Sequence, residues 1–233
     1  MAVRDQRYGQ YCALARSLEV TGDRWTLLVV RELTLGPRRF TDLIDGLPGI
    51  SRNLLTERLR RLERDGIVVR KDLPPPAARQ VYELADDGRD LAIAMGPLAN
   101  WGARRLGQRK RTEVFSPRWP AVAMASLADR DAAKGLHETY QFAVDDVAFY
   151  FKVDDGSIEV HDGQAVEPTV VLTMDEDTWA ELAAGRIKYT DAVATGALRV
   201  EGDRQAEARF REIFSRRSMI ARAEAPAAVL GPM

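Results

Sequence analysis

Residues 51–73, SRNLLTERLRRLERDGIVVRKDL, decide the fold of the first half of the chain. Ser51 is a good N-cap, and the leucines that follow it recur at the spacing of one helix face: Leu55, Leu59 and Leu62. Gly66 ends this helix pattern, and the apolar period then changes to that of a strand. A second strand-like run, RQVYELA (79–85), follows the segment PPPAA, so we expect a helix and then a β-hairpin with a stiff tip.

Further helix patterns lie on both sides of this stretch. CALARSLEV (12–20) is amphipathic, RWTLLVVRELTLG (24–36) follows Asp23 as its expected N-cap, and FTDLIDGL (40–47) has its apolar residues on one face. After the hairpin, DDGRDLAIAMGPLANWGARRL (86–106) indicates a longer helix. Three helices, a turn, a fourth helix and a hairpin are the element order of a winged helix-turn-helix.

The polar face of the fourth helix carries the residue types that contact DNA. Its first turns hold the candidates for reading base edges: Ser51, Arg52, Asn53 and Thr56. Arginine reads guanine and asparagine reads adenine through paired hydrogen bonds in the major groove. We expect the remaining arginines to neutralise phosphates: Arg58, Arg60, Arg61 and Arg64. An exposed helix with internal ion pairs to Glu57 and Glu63 explains the same arginines, so this alternative stays open.

The charge of the chain is divided unevenly. Residues 1–112 contain 21 Lys and Arg against 14 Asp and Glu, whereas residues 113–233 contain 13 against 21, and the net charge is −1. A basic half suits a polyanion and an acidic half does not, which favours two modules with different partners. Chance asymmetry between solvated faces explains the division equally well.

Residues 8–106 resemble the HxlR family of bacterial winged-helix regulators. The residues that carry the resemblance are Cys12, 22–27 (GDRWTL), Gly36, Arg39, Phe40, Leu43, Ile50, Ser51, Leu55, Thr56, Arg58, Leu59, Leu62, Glu63, Asp65, Gly66, Arg70, 82–84 (YEL), Gly88 and Trp101. The resemblance implies a homodimer, formed by the N-terminal helix and helix 87–106, that binds an inverted-repeat operator in double-stranded DNA. In this chain the second of these helices offers Leu91, Met95, Leu98 and Trp101.

The resemblance also places the wing, the hairpin with its tip at 74–79, against phosphates. Its candidate contacts are Arg70, Lys71 and Arg79, and two arginines at helix starts, Arg24 and Arg39, join them. Ordinary surface charge is the alternative for Arg24 and Arg39. The triple proline departs from the charged tip that is usual in the family, so the resemblance does not extend to contacts made by the tip.

Cys12 is the single cysteine, which excludes an intrachain disulfide. In some members of the family a cysteine near this place senses electrophiles or oxidants, and Arg16 one turn later favours the thiolate that such chemistry needs. The commoner role of a lone cysteine on an apolar helix face is that of a small core residue. We expect the core role.

The polar, basic segment 107–118 reads as a linker, so we predict two domains, 1–110 and 111–233. The second half contains a further set of residues at characteristic spacing: 149–151 (FYF), Asp155, Gly156, Gly163, 169–173 (TVVLT), Asp175, Trp179, Leu182, Gly185, 191–196 (DAVATG), Leu198, 200–203 (VEGD) and Phe210. By these residues, the segment 136–214 resembles the SCP2-like (sterol carrier protein) fold. The fold class expected for the whole chain is α+β.

The SCP2 resemblance implies a sheet packed against helices around an apolar tunnel that takes a hydrophobic small molecule. The candidate lining residues are Phe149, Phe151, Trp179, Leu182, Ile187, Tyr189 and Val193. The alternative is that these side chains fill an ordinary core. The leading hypothesis is therefore a homodimeric regulator modulated by this ligand, and its rival is a DNA-bound scaffold whose second domain only dimerises or docks a partner.

Several other classes are unfavoured by the sequence. One cysteine and two histidines are too few for a typical zinc site, and no cofactor motif occurs. An enzyme using His137 and Glu138 as acid and base is a weaker alternative, since adjacent strand residues point to opposite faces. No apolar run is long enough to span a bilayer and no signal peptide is evident, so we expect a cytoplasmic protein without membrane contact.

Overall fold

Five helices and a hairpin form the first part of the computed structural model, which describes residues 8–72, 80–110 and 112–214. The elements are α1 Ala13–Thr21, α2 Thr26–Thr34, α3 Phe40–Gly46, α4 Arg52–Arg64, β1 Val68–Asp72, β2 Gln80–Leu84 and α5 Asp86–Ala103. Strands β1 and β2 are antiparallel, and Arg38 forms an isolated bridge to Tyr82 of β2. This is the predicted element order of a winged helix-turn-helix. The tip of the hairpin, 73–79, lies outside the described residues.

The leucine stripe of α4 packs into the core as predicted. Leu55, Leu59 and Leu62 are each no more than 2% exposed. The Ser51 hydroxyl caps the helix by accepting a hydrogen bond from the Leu54 N–H at 3.2 Å. Full burial of a leucine side chain contributes roughly 1.5–3 kcal/mol, so the stripe fixes which side of α4 faces away from the domain.

The expected cap of α2 is wrong. The helix begins at Thr26 and its N-cap is Trp25, which has a left-handed backbone with φ 79°. Asp23 lies in the turn before it and directs its carboxylate to arginines of α4 instead. Aspartate is a common N-cap residue, but the carboxylate of Asp23 forms long-range ion pairs with Arg58 and Arg61 instead.

The chain divides into two compact units, Met1–Ala92 and Ile93–Met233, and the boundary lies within α5. The predicted division into 1–110 and 111–233 stays a prediction. In the second unit α5 packs closely on a following helix, α6 Arg118–Leu127: a Cβ built on Gly96 would lie 2.7 Å from the Cβ of Ser126. Helix α6 ends at Leu127: Ala128 is extended and the Asp129 N–H bonds to the Ile213 carbonyl.

A five-stranded sheet organises the second unit. Its strands are β3 His137–Val144, β4 Val147–Asp154, β5 Ser157–Asp162, β6 Val170–Met174 and β7 Arg199–Gly202, in the order β5-β4-β3-β6-β7. The β3–β6 pair is parallel and the other pairs are antiparallel. Three helices complete the unit: α7 Glu176–Ala184, α8 Tyr189–Thr195 and α9 Arg204–Ile213. With helices and a mixed sheet, the fold class is α+β.

One face of this sheet is apolar because alternate residues of each strand are buried. Register places Phe142 of β3 opposite Phe149 of β4 and Leu172 of β6. Helices cover this face through aromatic contacts: Phe142 lies 5.1 Å from Trp179 of α7 and 5.8 Å from Phe210 of α9, between ring centroids. The predicted sheet packed against helices is therefore present.

Candidate nucleic-acid interface and ligand cavity

The outer face of α4 presents four of the predicted DNA-contacting side chains: Arg52, Asn53, Arg60 and Arg64, all exposed. The stripe of buried leucines on the opposite side holds them in this orientation. Two further candidates are engaged locally. The Ser51 hydroxyl serves as the cap, and the hydroxyl of the half-buried Thr56 donates to the Arg52 carbonyl at 2.9 Å.

Arg58 and Arg61 differ from the other arginines of α4 because both turn to partners inside the unit. The Arg58 side chain is only 12% exposed; its Nε donates to the Arg24 carbonyl at 3.1 Å and its Nη1 lies 3.3 Å from Asp23. Arg61 donates to the same Asp23 carboxylate and to the Glu19 carbonyl in the last turn of α1. These contacts join the recognition helix to the end of α1.

The remaining DNA-contact candidates are spread over the unit. Arg24 is exposed and its guanidinium lies 5.4 Å from the Trp25 ring centroid, and Arg39 is exposed just before α3. On the hairpin, Lys71 pairs with Glu83 at 2.6 Å and Arg70 lies 3.9 Å from Glu63. These two cations therefore already have acidic neighbours. Arg79 lies outside the described residues.

Two helices expose apolar side chains without cover in this single chain. Around α1 these are Tyr11, Leu14 and Leu18, which are 108%, 66% and 40% exposed. On α5 the corresponding residues are Ile93, Leu98 and Trp101, while Leu91 and Met95 of the predicted dimer face are half-buried. These are the two helices that the family resemblance implies for dimerisation.

Cys12 is not a core residue. It is exposed and forms the N-cap position of α1, one residue before the helix starts. The expectation of a buried role is wrong because the apolar pattern begins after it. Arg16, one turn away, pairs with Glu19 at 2.9 Å.

The second unit contains a half-open cavity of about 340 Å³ between the apolar sheet face and its helices. The apolar side chains that line it are Met124, Phe142, Leu172, Met174, Trp179, Leu182, Ala183, Ile187, Leu198, Phe210 and Phe214. Sites for small molecules commonly measure about 300–1,000 Å³ and are predominantly apolar. This cavity has the size and the lining of such a site.

Four of the seven predicted lining residues border the cavity: Trp179, Leu182, Ile187 and Tyr189. The other three do not. Phe149 lies behind the lining, stacked on Phe142 at 5.0 Å between centroids, and Phe151 packs on Phe214 at 4.8 Å, so both are core residues. Val193 is 38% exposed on α8.

Several lining residues were not among those expected from the sequence, although local periodicity marks them. Phe142 and the pair Leu172 and Met174 lie on the buried side of β3 and β6, at the period of two. Phe210 lies on the buried stripe of α9. Strand alternation is the sequence signal that marks Phe142, Leu172 and Met174, and helical periodicity is the signal that marks Phe210.

The polar side chains at the cavity are clustered. Lys188, Tyr189 and Arg211 border it, and the Arg211 guanidinium lies 5.4 Å from the Tyr189 ring centroid. The Tyr189 hydroxyl donates to Glu207 at 3.1 Å. Burial, together with the negative charge of Glu207, raises the pKa of Tyr189 well above its usual value, so the phenol stays neutral.

His137 and Glu138 point in different directions, as expected for neighbours in a strand. His137 Nδ1 lies 2.6 Å from Asp154 on the exposed side. Glu138 is buried, accepts a hydrogen bond from Arg209 Nε at 2.6 Å, and is also bonded by the Tyr140 hydroxyl. Burial and Glu138 raise the pKa of Tyr140. This arrangement fastens α9 to β3 and brings no acid and base together.

The segment that follows α5 is attached to α7 at several points. Arg109 pairs with Glu176 at 2.7 Å and lies 3.5 Å from Asp177, both in the first turn of α7. The Trp179 indole N–H donates to the Pro117 carbonyl at 2.8 Å. Because Trp179 also lines the cavity, the segment and the cavity share one helix.

Within 8–72, 80–110 and 112–214, no group of three or more His, Cys, Asp or Glu side chains is arranged to hold a metal ion. Over the same residues, no helix is both long enough and apolar enough to cross a membrane.

Comparison with known proteins finds a separate family match for each of two parts of the chain. Residues 20–110 match the family described as HxlR-like helix-turn-helix, and residues 121–215 match the SCP-2 sterol transfer family. Over 86 residues the chain is 35% identical to the HTH-type transcriptional regulator YvaP of Bacillus subtilis, covering 37% of this chain and 80% of YvaP.

Two further matches concern the same part of the chain. It is 42% identical over 94 residues to the HTH-type transcriptional regulator Mb3122 of Mycobacterium bovis, covering 40% of this chain and 59% of Mb3122, which is less than two thirds of that protein. The solved reduced form of the transcriptional regulator YodB from B. subtilis is 29% identical, with a TM-score of 0.38, and the match covers 43% of this chain and all of YodB.

Proposed function

Because the chain belongs to the HxlR-like helix-turn-helix family of transcriptional regulators, we propose that it binds operator DNA through α4 and responds to a hydrophobic ligand in its second unit. One observation supports the proposal that α4 binds DNA. The outer face of α4 holds Arg52, Arg60 and Arg64, and none of them has an acidic partner among the described residues. An exposed row of uncompensated cations on a rigid helix is suited to a polyanion.

The residues divide by their geometry into three roles. Arg52 and Asn53, in the first turn of α4, read base edges in the major groove. Arg60 and Arg64 neutralise phosphates, with Arg24, Arg39, Arg70, Lys71 and Arg79 as further phosphate contacts. Arg58 and Arg61 are assigned a different role from the one expected from sequence: they hold α4 in place through Asp23 and the Glu19 carbonyl.

We propose that the active form is a homodimer on an inverted-repeat operator. The exposed apolar side chains of α1, and separately those of α5, support this, since they lie on the helices that the family resemblance assigns to dimerisation. A two-fold dimer places two recognition helices about one DNA turn apart, which requires a symmetric operator.

The cavity favours a ligand-responsive regulator over the scaffold alternative. A docking or dimerisation surface does not require an apolar pocket of about 340 Å³ between a sheet and its helices, whereas a small-molecule site commonly has this size. As the route for the signal within the second unit we propose α7, which borders the cavity and contacts the segment that follows α5. A ligand acts on DNA binding only if its affinity differs between two states of the protein.

The test is binding of the full chain to DNA from upstream of its own gene, compared with a scrambled duplex of equal length, by fluorescence anisotropy. The measurement is made at two salt concentrations, with and without an organic-solvent extract of the source cells. We expect preference for the upstream DNA and a changed affinity when the extract is present. A matched variant, Leu182→Trp, fills the cavity and should abolish the effect of the extract while leaving DNA binding in its absence unchanged.

The outcomes separate the two parts of the proposal. Specific DNA binding that ignores the extract would favour the scaffold alternative. Equal affinity for upstream and scrambled DNA, at both salt concentrations, would contradict specific recognition at this operator. A size measurement by sedimentation, compared with the variant Leu14→Glu, tests the dimer: the variant should be monomeric.

A further inference from the structure

Arg52, the first residue of α4, lies against an aromatic ring that has no place in the function proposed so far. Its guanidinium carbon is 5.9 Å from the centroid of the Phe40 ring, and Phe40 is the first residue of α3. Arg52 is exposed and Phe40 is half-buried. The contact therefore crosses the turn between the two helices of the helix-turn-helix.

Local caps fix the backbone on both sides of this contact. The Asp42 carboxylate accepts a hydrogen bond from the Arg39 N–H at 3.0 Å, which closes the first turn of α3. Ser51 caps α4 one residue before Arg52. Both partners of the contact thus start from a fixed backbone, and the Phe40 ring restrains an arginine side chain that otherwise loses much rotamer freedom when it binds.

The ring restrains the Arg52 guanidinium without occupying its hydrogen-bond donors. A cation is attracted to the face of an aromatic ring, whereas the N–H groups of a guanidinium lie in its own plane. Among the described residues, no oxygen accepts a hydrogen bond from the Arg52 guanidinium. Arg58 and Arg61, in contrast, give their donors to Asp23 and to backbone carbonyls. Arg52 is therefore held in place and still able to bond to an external acceptor.

The other exposed arginines of α4 have no such support. Neither Arg60 nor Arg64 lies over an aromatic side chain of the described residues. Arg24 does lie over the Trp25 ring, but the two are adjacent in sequence, so that contact joins no separate helices. A phosphate contact depends mainly on charge, whereas reading guanine requires two N–H groups aimed at O6 and N7. Within α4, the ring lies beside the arginine for which orientation matters most, Arg52.

We infer that Phe40 is a positioning residue for sequence recognition. Its ring orients the Arg52 guanidinium toward a base edge, and α3 thereby contributes to the reading that α4 performs. The inference rests on the proposed base-reading role of Arg52 and adds to it a residue that acts through Arg52 rather than by touching DNA.

The test compares Phe40→Leu, which keeps an apolar side chain but removes the ring, with Phe40→Tyr, which keeps the ring. Competition followed by fluorescence anisotropy measures the affinity of the full chain for the upstream duplex and for versions of it with single base pairs replaced. At the base pair where Arg52→Ala loses discrimination, Phe40→Leu should lower discrimination about two- to fivefold, the typical contribution of a cation–π contact at an exposed site. Phe40→Tyr should retain it, and neither variant should change the affinity for the scrambled duplex.

A double variant separates positioning of Arg52 from a general effect on the fold. In the Arg52→Ala background, Phe40→Leu should lower discrimination no further, because the ring then has no guanidinium to orient. The control Ile44→Val shortens another half-buried apolar side chain of α3 and should leave discrimination unchanged at every base pair.

Full discrimination in Phe40→Leu, equal losses in Phe40→Leu and Phe40→Tyr, or a further loss in the double variant would each overturn the inference. A uniform loss of affinity for all duplexes would overturn it too, since that result describes a purely structural residue. Failure of the proposed function has a different signature: the unaltered chain would not prefer the upstream DNA, or Arg52→Ala would cost no discrimination, and the inference would fall with it.

Discussion

Helices α4 and α9 look alike in sequence and serve different ends. Each buries an apolar stripe and carries several arginines on its other side; the stripe is Leu55, Leu59 and Leu62 in α4, and Ala206, Phe210 and Ile213 in α9. In α9, Arg209 meets the buried carboxylate of Glu138. In α4, Arg60 and Arg64 meet no acidic group of the described chain.

The difference teaches that amphipathic pattern predicts packing but not the purpose of the polar face. That purpose depends on whether another element brings a carboxylate to the arginine. Glu138 reaches α9 from a strand far away in sequence, and Asp23 reaches α4 in the same way. The arginines left over are the ones available to an external anion.

The largest effect on stability is expected at Arg209, the arginine of α9 that pairs with the buried carboxylate of Glu138. Arg209→Ala leaves the buried Glu138 without its cation, which should destabilise the second unit by about 3 kcal/mol. Arg204→Ala, on the same helix but exposed and without an acidic partner among the described residues, should change stability by less than about 0.5 kcal/mol. Hydrogen exchange of amides in β3 and α9, followed by mass spectrometry, measures both. Equal effects would remove the distinction between internal and free arginines in α9.

In the first unit, the variants Asp23→Asn and Glu57→Gln make the corresponding comparison between a half-buried and an exposed partner of an arginine. Both carboxylates lie near Arg58, but Asp23 is 17% exposed and also holds Arg61, whereas Glu57 is 70% exposed. We expect Asp23→Asn to cost about 2 kcal/mol, since it leaves two poorly solvated cations, and Glu57→Gln to cost less than about 0.5 kcal/mol. Amide exchange within α4 reports the difference. A similar cost for both variants would mean that Arg58 and Arg61 do not position the helix.

The next largest effect is a loss of DNA sequence discrimination, expected when Asn53 or Arg52 is replaced. Asn53→Ala should reduce the discrimination between the operator and single-base variants of it by about 1–2 kcal/mol at the position that Asn53 contacts. Arg52→Ala should do the same at a neighbouring position. Competition between labelled and substituted duplexes, measured at constant salt, gives these energies. Loss of affinity for all duplexes alike would place Asn53 on the phosphate backbone instead.

Much of this contrast was predictable and part of it was not. The helix order, the Ser51 cap and the leucine stripe follow from local spacing, so the sequence predicted them. The roles of Asp23, Arg58 and Arg61 depend on a contact across more than thirty residues, which no local pattern reveals. In the second unit, the resemblance to the SCP2-like fold predicted the sheet, but the division of its aromatic residues between lining and core depends on how α7 and α9 cover it.

The smallest expected effect is a change in the salt dependence of DNA binding, which distinguishes two arginines of α4, Arg64 and Arg61. Arg64→Ala should make the plot of log affinity against log salt shallower by about 0.9, the contribution of one phosphate contact, with a modest loss of affinity. Arg61→Ala should leave that slope unchanged and lower the affinity equally at every salt concentration, because Arg61 already binds Asp23 and the Glu19 carbonyl. The two variants remove the same charge from the same helix, so total charge cannot explain a difference. Equal flattening by both would assign Arg61 to the phosphates and make the α4 arginines a single class.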